Sequence, residues 1–215
     1  MLRARILGSA ALSGLFVSLV VSVPSIASAQ WYAGAKVATA TMDLKVGFDT
    51  LPATETDDSA DVTWGVFGGY SLSPGLALEA GYDDLGSDYD LRNTLGRSEK
   101  IVVDARAVSL TLLGRVKVHE RVQMLGRLGI AYWNAELSYT EPGFGSSGSD
   151  GDVDPVVGLG FEWSVTDAVG IRFEWQLFQN IGDEVKTNLP PATGARLQLN
   201  GSDVSLLAIS TLYRF

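Results

Sequence analysis

The sequence predicts an all-β protein, an eight-stranded antiparallel transmembrane β-barrel behind a secretory leader. Three observations predict it: the make-up of the first 29 residues, a period-2 alternation through most of the remaining chain, and a regular succession of long and short connections.

The leader comes first. Met1-Leu2-Arg3-Ala4-Arg5 is a short basic start, Ile6 to Val23 is an apolar run, and Ala27-Ser28-Ala29 is a small-x-small site. Together these make a signal peptide cleaved after Ala29. The apolar run is about long enough to span a bilayer, so an uncleaved anchor helix is the alternative reading. Taking 29 residues from 215 leaves 186, Gln30 to Phe215, which suits one domain. No later stretch of about 18 apolar residues offers a second spanning helix. The other structure that spans lipid is a closed barrel, in which every backbone polar group is paired.

The alternation has the period of strands. Trp31, Ala33, Ala35 and Val37 alternate with Tyr32, Gly34, Lys36 and Ala38. Trp64, Val66, Tyr70 and Leu72 alternate with Thr63, Gly65, Phe67, Gly69 and Ser71. The pattern recurs from Leu76 to Asp83, Val108 to Val116, Val157 to Val165 and Gly170 to Leu177, and the last strand sets Leu207, Ile209, Tyr213 and Phe215 on one face. One set is apolar, with aromatics near the strand ends. The other mixes glycine and small residues with isolated charges and would make a poor hydrophobic core. Apolar outside and polar inside is the arrangement of a barrel in lipid.

Connections give the strand count. Ser73-Pro74, His119-Glu120-Arg121 and Thr166-Asp167-Ala168 are short, while 45–61, 85–100, 140–154 and 181–201 are long and polar. They alternate, and seven connections join eight strands. Short periplasmic turns and long external loops are the usual asymmetry of such barrels. The chain ends with the last strand, so no appended domain is expected.

Composition excludes some functions. The formal charge is −9, and losing Arg3 and Arg5 with the leader makes it −11. Nucleic acid needs clustered Lys and Arg and is not an expected partner. Absent cysteine excludes a disulfide scaffold.

Several islands are similar to one family. Gln30-Trp31-Tyr32-Ala33-Gly34-Ala35-Lys36, Phe67-Gly68-Gly69-Tyr70 with Ser73-Pro74, and Glu79-Ala80-Gly81-Tyr82-Asp83 resemble the OmpA-like transmembrane domain. So do Gly126-Arg127-Leu128-Gly129, Arg172-Phe173-Glu174-Trp175-Gln176, Asn180-Ile181-Gly182-Asp183 and Tyr213-Arg214-Phe215. The resemblance covers nearly the whole mature chain in family order. It implies an eight-stranded barrel in the outer membrane with a largely closed interior. Two departures limit it. The best-known members continue into a peptidoglycan-binding domain, and Leu113 stands where the family's fourth strand can carry a lumenal lysine.

Parity puts Lys36, Glu79, Arg115, Arg127, Glu162, Arg172 and Glu174 on the inward face. Ionisable groups at membrane depth are costly unless paired or hydrated. The favoured reading is a lumenal ion-pair network of Lys36, Glu79, Arg127, Glu162, Arg172 and Glu174, most of which match the family's lumenal charges position by position. The other reading is a charged lining for a narrow water or ion path. His119, the sole histidine, reads as a solvated turn residue rather than a catalytic base, and no catalytic residue is assigned. Asp49, Glu55, Asp57, Asp58 and Asp61, like Asp150, Asp152 and Asp154, read as solvated loop acids. A Ca²⁺ or Mg²⁺ site is the alternative, although the third connection lacks the full twelve-residue calcium pattern; no metal or cofactor is assigned. The terminal Phe215 resembles the family's signal to the insertion machinery.

The expected function is non-enzymatic: a structural or surface-interaction protein whose lumen is largely closed by ion pairs. Its expected partners are outer-membrane lipid, lipopolysaccharide and the insertion machinery, with the barrel a monomer. A small nonspecific diffusion channel is the first alternative, and a lipid-modifying barrel enzyme the second.

Overall fold

A computed structural model describes residues 31–42, 45–48, 51–55, 59–89, 100–141, 143–183, 185–188, 196–199 and 202–215. The expected leader, residues 1–29, lies outside them. The described residues form β1 (Trp31–Met42), β2 (Lys45–Phe48), β3 (Leu51–Glu55), β4 (Ser59–Ser73), β5 (Leu76–Tyr89), β6 (Lys100–His119) and β7 (Val122–Glu141). They continue with β8 (Phe144–Asp150), β9 (Val153–Ser164), β10 (Val169–Ile181), β11 (Lys186–Asn188), β12 (Arg196–Leu199) and β13 (Ser202–Arg214).

Eight of these make the barrel. Their order is β6-β5-β4-β1-β13-β10-β9-β7, and β7 pairs with β6 to close the ring. All pairs are antiparallel, and the first and last strands meet in register from Tyr32↔Arg214 to Met42↔Val204. The three tight turns fall where the sequence places them, after β4, β6 and β9.

Three of the four long connections carry strands of their own, and residues 90–99 of the other lie outside the described residues. β11-β12-β2-β3 form a second sheet in the same order as the wall strands β10-β13-β1-β4 that they continue. β8 folds back on the upper part of β7, from Ala135↔Asp150 to Glu141↔Phe144. β6 and β7 each run 20 residues, where about 9–11 suffice to cross a bilayer. The wall therefore stands well above the membrane on the outer side. β8 and β11 escape sequence reading because they carry no apolar alternation, as in Phe-Gly-Ser-Ser-Gly-Ser-Asp, to which β7 supplies partner groups. β2 and β12 escape it because four residues with two apolar ones are too short a pattern to read.

The lipid-facing set follows the predicted parity. Val37, Trp64, Leu78, Leu110, Leu128, Leu159, Phe173, Leu207 and Ile209 are all exposed, a continuous apolar surface that a protein in water would not carry. Aromatics mark two levels. Trp31 and Tyr70 meet in a tilted contact at the lower one, with ring centroids 4.8 Å apart, and Trp64 meets Tyr82 at the upper one, 5.8 Å apart. Along β7, ten residues separate Val122, opposite Trp163, from Tyr132. A rise near 3.3 Å per residue and a tilt near 40° turn that into about 25 Å, the height of a barrel's apolar band.

The inward face corrects one expectation. Its small and charged residues predict a poor hydrophobic core, yet its outer half holds one. Trp133, Leu137, Phe178, Ile181, Val204 and Leu206 are buried over a wall of small residues that includes Ala105, Ala107, Ala131, Ala135 and Ala208. The small residues leave the space that the large ones fill. A smaller apolar cluster of Tyr32, Phe67, Ala77, Leu113, Leu125 and Leu212 sits toward the turns.

Candidate functional site

Between the two apolar clusters lies a layer of charge. Lys36, Glu79, Asp83, Arg127, Glu162, Arg172 and Glu174 are all buried. Strand parity points each of them inward, because successive side chains alternate across the wall. Room is made locally: a Cβ on Gly65 would lie 2.6 Å from an Asp83 oxygen and 2.7 Å from Lys36 Cε, so only glycine admits that pair. Gly69 likewise clears the Tyr32 ring.

Arg172 is the hub. Its Nη1 donates to Glu79 Oε2 at 2.9 Å, and its Nε and Nη2 donate to Glu162 Oε2 at 3.2 and 3.0 Å. Glu174 Oε2 lies 3.9 Å from Nη1, and the Phe67 ring centroid is 4.9 Å from the guanidinium carbon. Arg127 Nη2 donates to Glu79 Oε1 at 2.6 Å and to Glu174 Oε2 at 2.9 Å, while its Nε also meets Glu174. Lys36 Nζ contacts Asp83 at 2.6 Å and donates to Gln176 Oε1 at 2.9 Å. Arg214 pairs with Glu162 at the lower edge. Tyr32 Oη donates to Glu79 Oε2 at 2.9 Å.

The ring order gives these contacts a mechanical meaning. β5 and β10 lie four places apart in a ring of eight, so the Glu79–Arg172 pair crosses the barrel's full width. Arg127 reaches strands two places away on either side, β5 and β10. Bidentate, charge-assisted bonds of this kind fix geometry as well as contributing energy.

Of the six residues read from the sequence as an ion-pair network, Glu79, Arg127, Glu162, Arg172 and Glu174 are joined directly, whereas Lys36 lies in the same layer but pairs with Asp83. The structure adds Asp83, Gln176, Tyr32 and Arg214. Inward parity could have nominated all four, since Tyr32 alternates with Lys36 on β1 and Gln176 follows Arg172 and Glu174 on β10. Arg115 is also inward, but it joins no ion pair among the described residues: its Nη1 donates to Ser71 Oγ at 3.0 Å, and its guanidinium carbon sits 4.9 Å from the Tyr32 ring centroid. His119 is exposed at the end of β6. Phe215 is exposed on the lipid side; its N–H donates to Trp31 O at 2.9 Å and its ring lies 5.3 Å from Tyr213. Of the described third-connection acids, Asp150 and Asp152 accept locally from the Gly151 and Val153 N–H groups, whereas Asp154 accepts across strands from Trp133 Nε1 at 2.7 Å and Asn180 Nδ2 at 3.4 Å. The side chains of the first-connection acids lie outside the described residues.

Residues 26–215 match the OmpA-like transmembrane domain. Over 190 residues the chain is 31% identical to Outer membrane protein A of Salmonella typhi, covering 86% of this chain and 48% of that protein. It thus spans about half the length of the curated relatives it matches. The fold is similar to OprG of Pseudomonas aeruginosa, at 14% identity with 87% of this chain and 96% of that one covered and a TM-score of 0.55. It is also similar to the outer membrane protease OmpT of Escherichia coli, at 10% identity with 89% and 99% covered and a TM-score of 0.51. Identities this low speak for the barrel fold alone.

Proposed function

This chain belongs to the OmpA-like transmembrane domain family and lies in the outer membrane, and from that premise we propose that it is a non-enzymatic anchor whose lumen is closed by its ion pairs. The observation that carries the reading is the Glu79–Arg172 pair across the barrel, braced by Arg127, Glu162 and Glu174. A column of water could hydrate these charges only by separating them, and a buried pair loses several kcal/mol when one partner is left alone. The apolar cluster around Trp133 and Phe178 adds a second obstruction on the outer side. With the lumen shut, what remains for interaction is the tall outer wall of β6, β7 and β8 and the sheet of β11, β12, β2 and β3.

The role is therefore structural or surface-interacting, with outer-membrane lipid, lipopolysaccharide and the insertion machinery as partners of a monomeric barrel. A catalytic role finds no support at His119, which faces solvent at a turn. Planar-bilayer recording of the refolded protein tests the proposal. The expected result is no sustained conductance steps at moderate voltage. Stable, voltage-independent steps would replace it with a small diffusion channel.

A further inference from the structure

One inward cation lacks an ion-pair partner. Among the described residues, Lys36, Arg115, Arg127, Arg172 and Arg214 are buried or half-buried on the inward side, as are Glu79, Asp83, Asp154, Glu162 and Glu174. Four of the five cations have a carboxylate within 4 Å, and Arg115 has none. Glu162 shares a cavity with Arg115 but is already paired with Arg172 and Arg214, and a half-buried cation without its own ion pair is unfavourable where water is scarce.

The unused part of Arg115 has a definite shape. Nη1 is engaged by Ser71, while Nε and Nη2 are buried and without a hydrogen-bond partner. Nε–H and Nη2–H point the same way from the guanidinium plane, and that edge is the fork that takes two oxygens of a carboxylate or phosphate. Gln123, near the start of β7, also has a buried terminal oxygen without a partner. Its amide can present either end, so it can donate where Arg115 donates.

Both residues line a cavity of about 330 Å³ at the turn end of the barrel, with Arg121, Arg214, Ser164 and Thr166. We propose that this periplasmic mouth binds a small oxyanion, a phosphate or a carboxylate, gripped side-on by Arg115. The strand wall separates the cavity from the surrounding lipid headgroups, so the ion comes from the periplasmic solution. Glu120, Glu162 and Asp167 also line the cavity and oppose a high negative charge, which selects small, weakly charged anions over polyanions. The unused edge is buried in the structure, so binding requires the Arg115 and Gln123 side chains to turn toward the cavity. The site does not depend on whether the lumen above it conducts.

The test follows the Arg115 Nε–H resonance by NMR, with the protein refolded in uncharged maltoside micelles. Inorganic phosphate and acetate are titrated at constant ionic strength against chloride. A saturable shift with phosphate or acetate, half-complete near about 1 mM, and none with chloride, is the expected result. The Gln123 side-chain amide should report the same curve. In Arg115→Gln that curve should vanish from Gln123, and in Arg115→Lys, which keeps the charge without the fork, it should weaken at least about tenfold. Arg106→Gln, on the exposed face of β6, should leave it unchanged. Shifts that stay linear and equal for all three anions would overturn the proposal. So would an Arg115→Lys protein, folded by its heat-dependent gel mobility, that binds phosphate as tightly as the parent.

Discussion

The inside of this barrel is filled in two ways, and the contrast lies along its axis. The outer half is an apolar core in which Trp133, Phe178 and Leu206 pack over alanines. The middle is a lattice of ion pairs around Arg172. An apolar core needs the right volume and tolerates rearrangement that preserves it. An ionic core needs each partner at its place, because a single loss strands a charge. The outer half therefore sets stability by bulk, whereas the middle sets geometry, tying opposite walls together where ladder hydrogen bonds join only neighbours.

The largest effect that would test this contrast is at the hub. Arg172→Ala leaves Glu79, Glu162 and Glu174 undercompensated and should cost about 3–5 kcal/mol in urea unfolding from lipid vesicles. Glu79→Ala should also destabilise, and the double mutant should lose less than the two losses added. Strict additivity would dissolve the cross-barrel tie. Next comes the outer core, where Leu206→Ala should cost about 2–5 kcal/mol but Leu206→Met less than about 1.5 kcal/mol. A methionine as damaging as the alanine would mean that this half is as geometrically demanding as the middle. On the lipid face, Leu207→Ala should cost about 2 kcal/mol, the water-to-lipid transfer of the lost methylenes, with no cavity cost because acyl chains occupy the vacated space. Smallest of all, an epitope inserted beside Gly143 should leave unfolding unchanged and be reached by antibody on intact cells. Gly143 is exposed in a turn at φ 89°, with nothing close to its Cβ position. Labelling that requires permeabilised cells would invert the topology and exchange the two halves.

The middle was more legible in the sequence than the outer half. Lys36, Glu79, Arg127, Glu162, Arg172 and Glu174 stand out because charge at an inward parity is rare and has to be paired. The outer core is spread through residues such as Ala131, Ala135 and Leu137, in a segment whose upper end reads as loop. No single residue there announces a core; alanine and leucine acquire that role only once β6, β7 and β9 fix the register. The same holds for β8, β11 and β12, whose strand character comes from neighbours rather than from propensity. Arg214 is legible by parity alone, but its partner Glu162 lies 52 positions earlier and two strands away.

Closing the ring has a consequence for the order of assembly. β1 and β13 pair Tyr32 with Arg214, and the Phe215 amide completes the seam at Trp31. Residues 182 positions apart must therefore meet before any edge disappears, and such distant pairing is slow. Until then both end strands present open rows of backbone donors and acceptors, the template on which chains join one another. The chain is thus most vulnerable late, after its hairpins have formed but before its two ends meet. A lesion in the last strand should poison folding out of proportion to the contacts it removes.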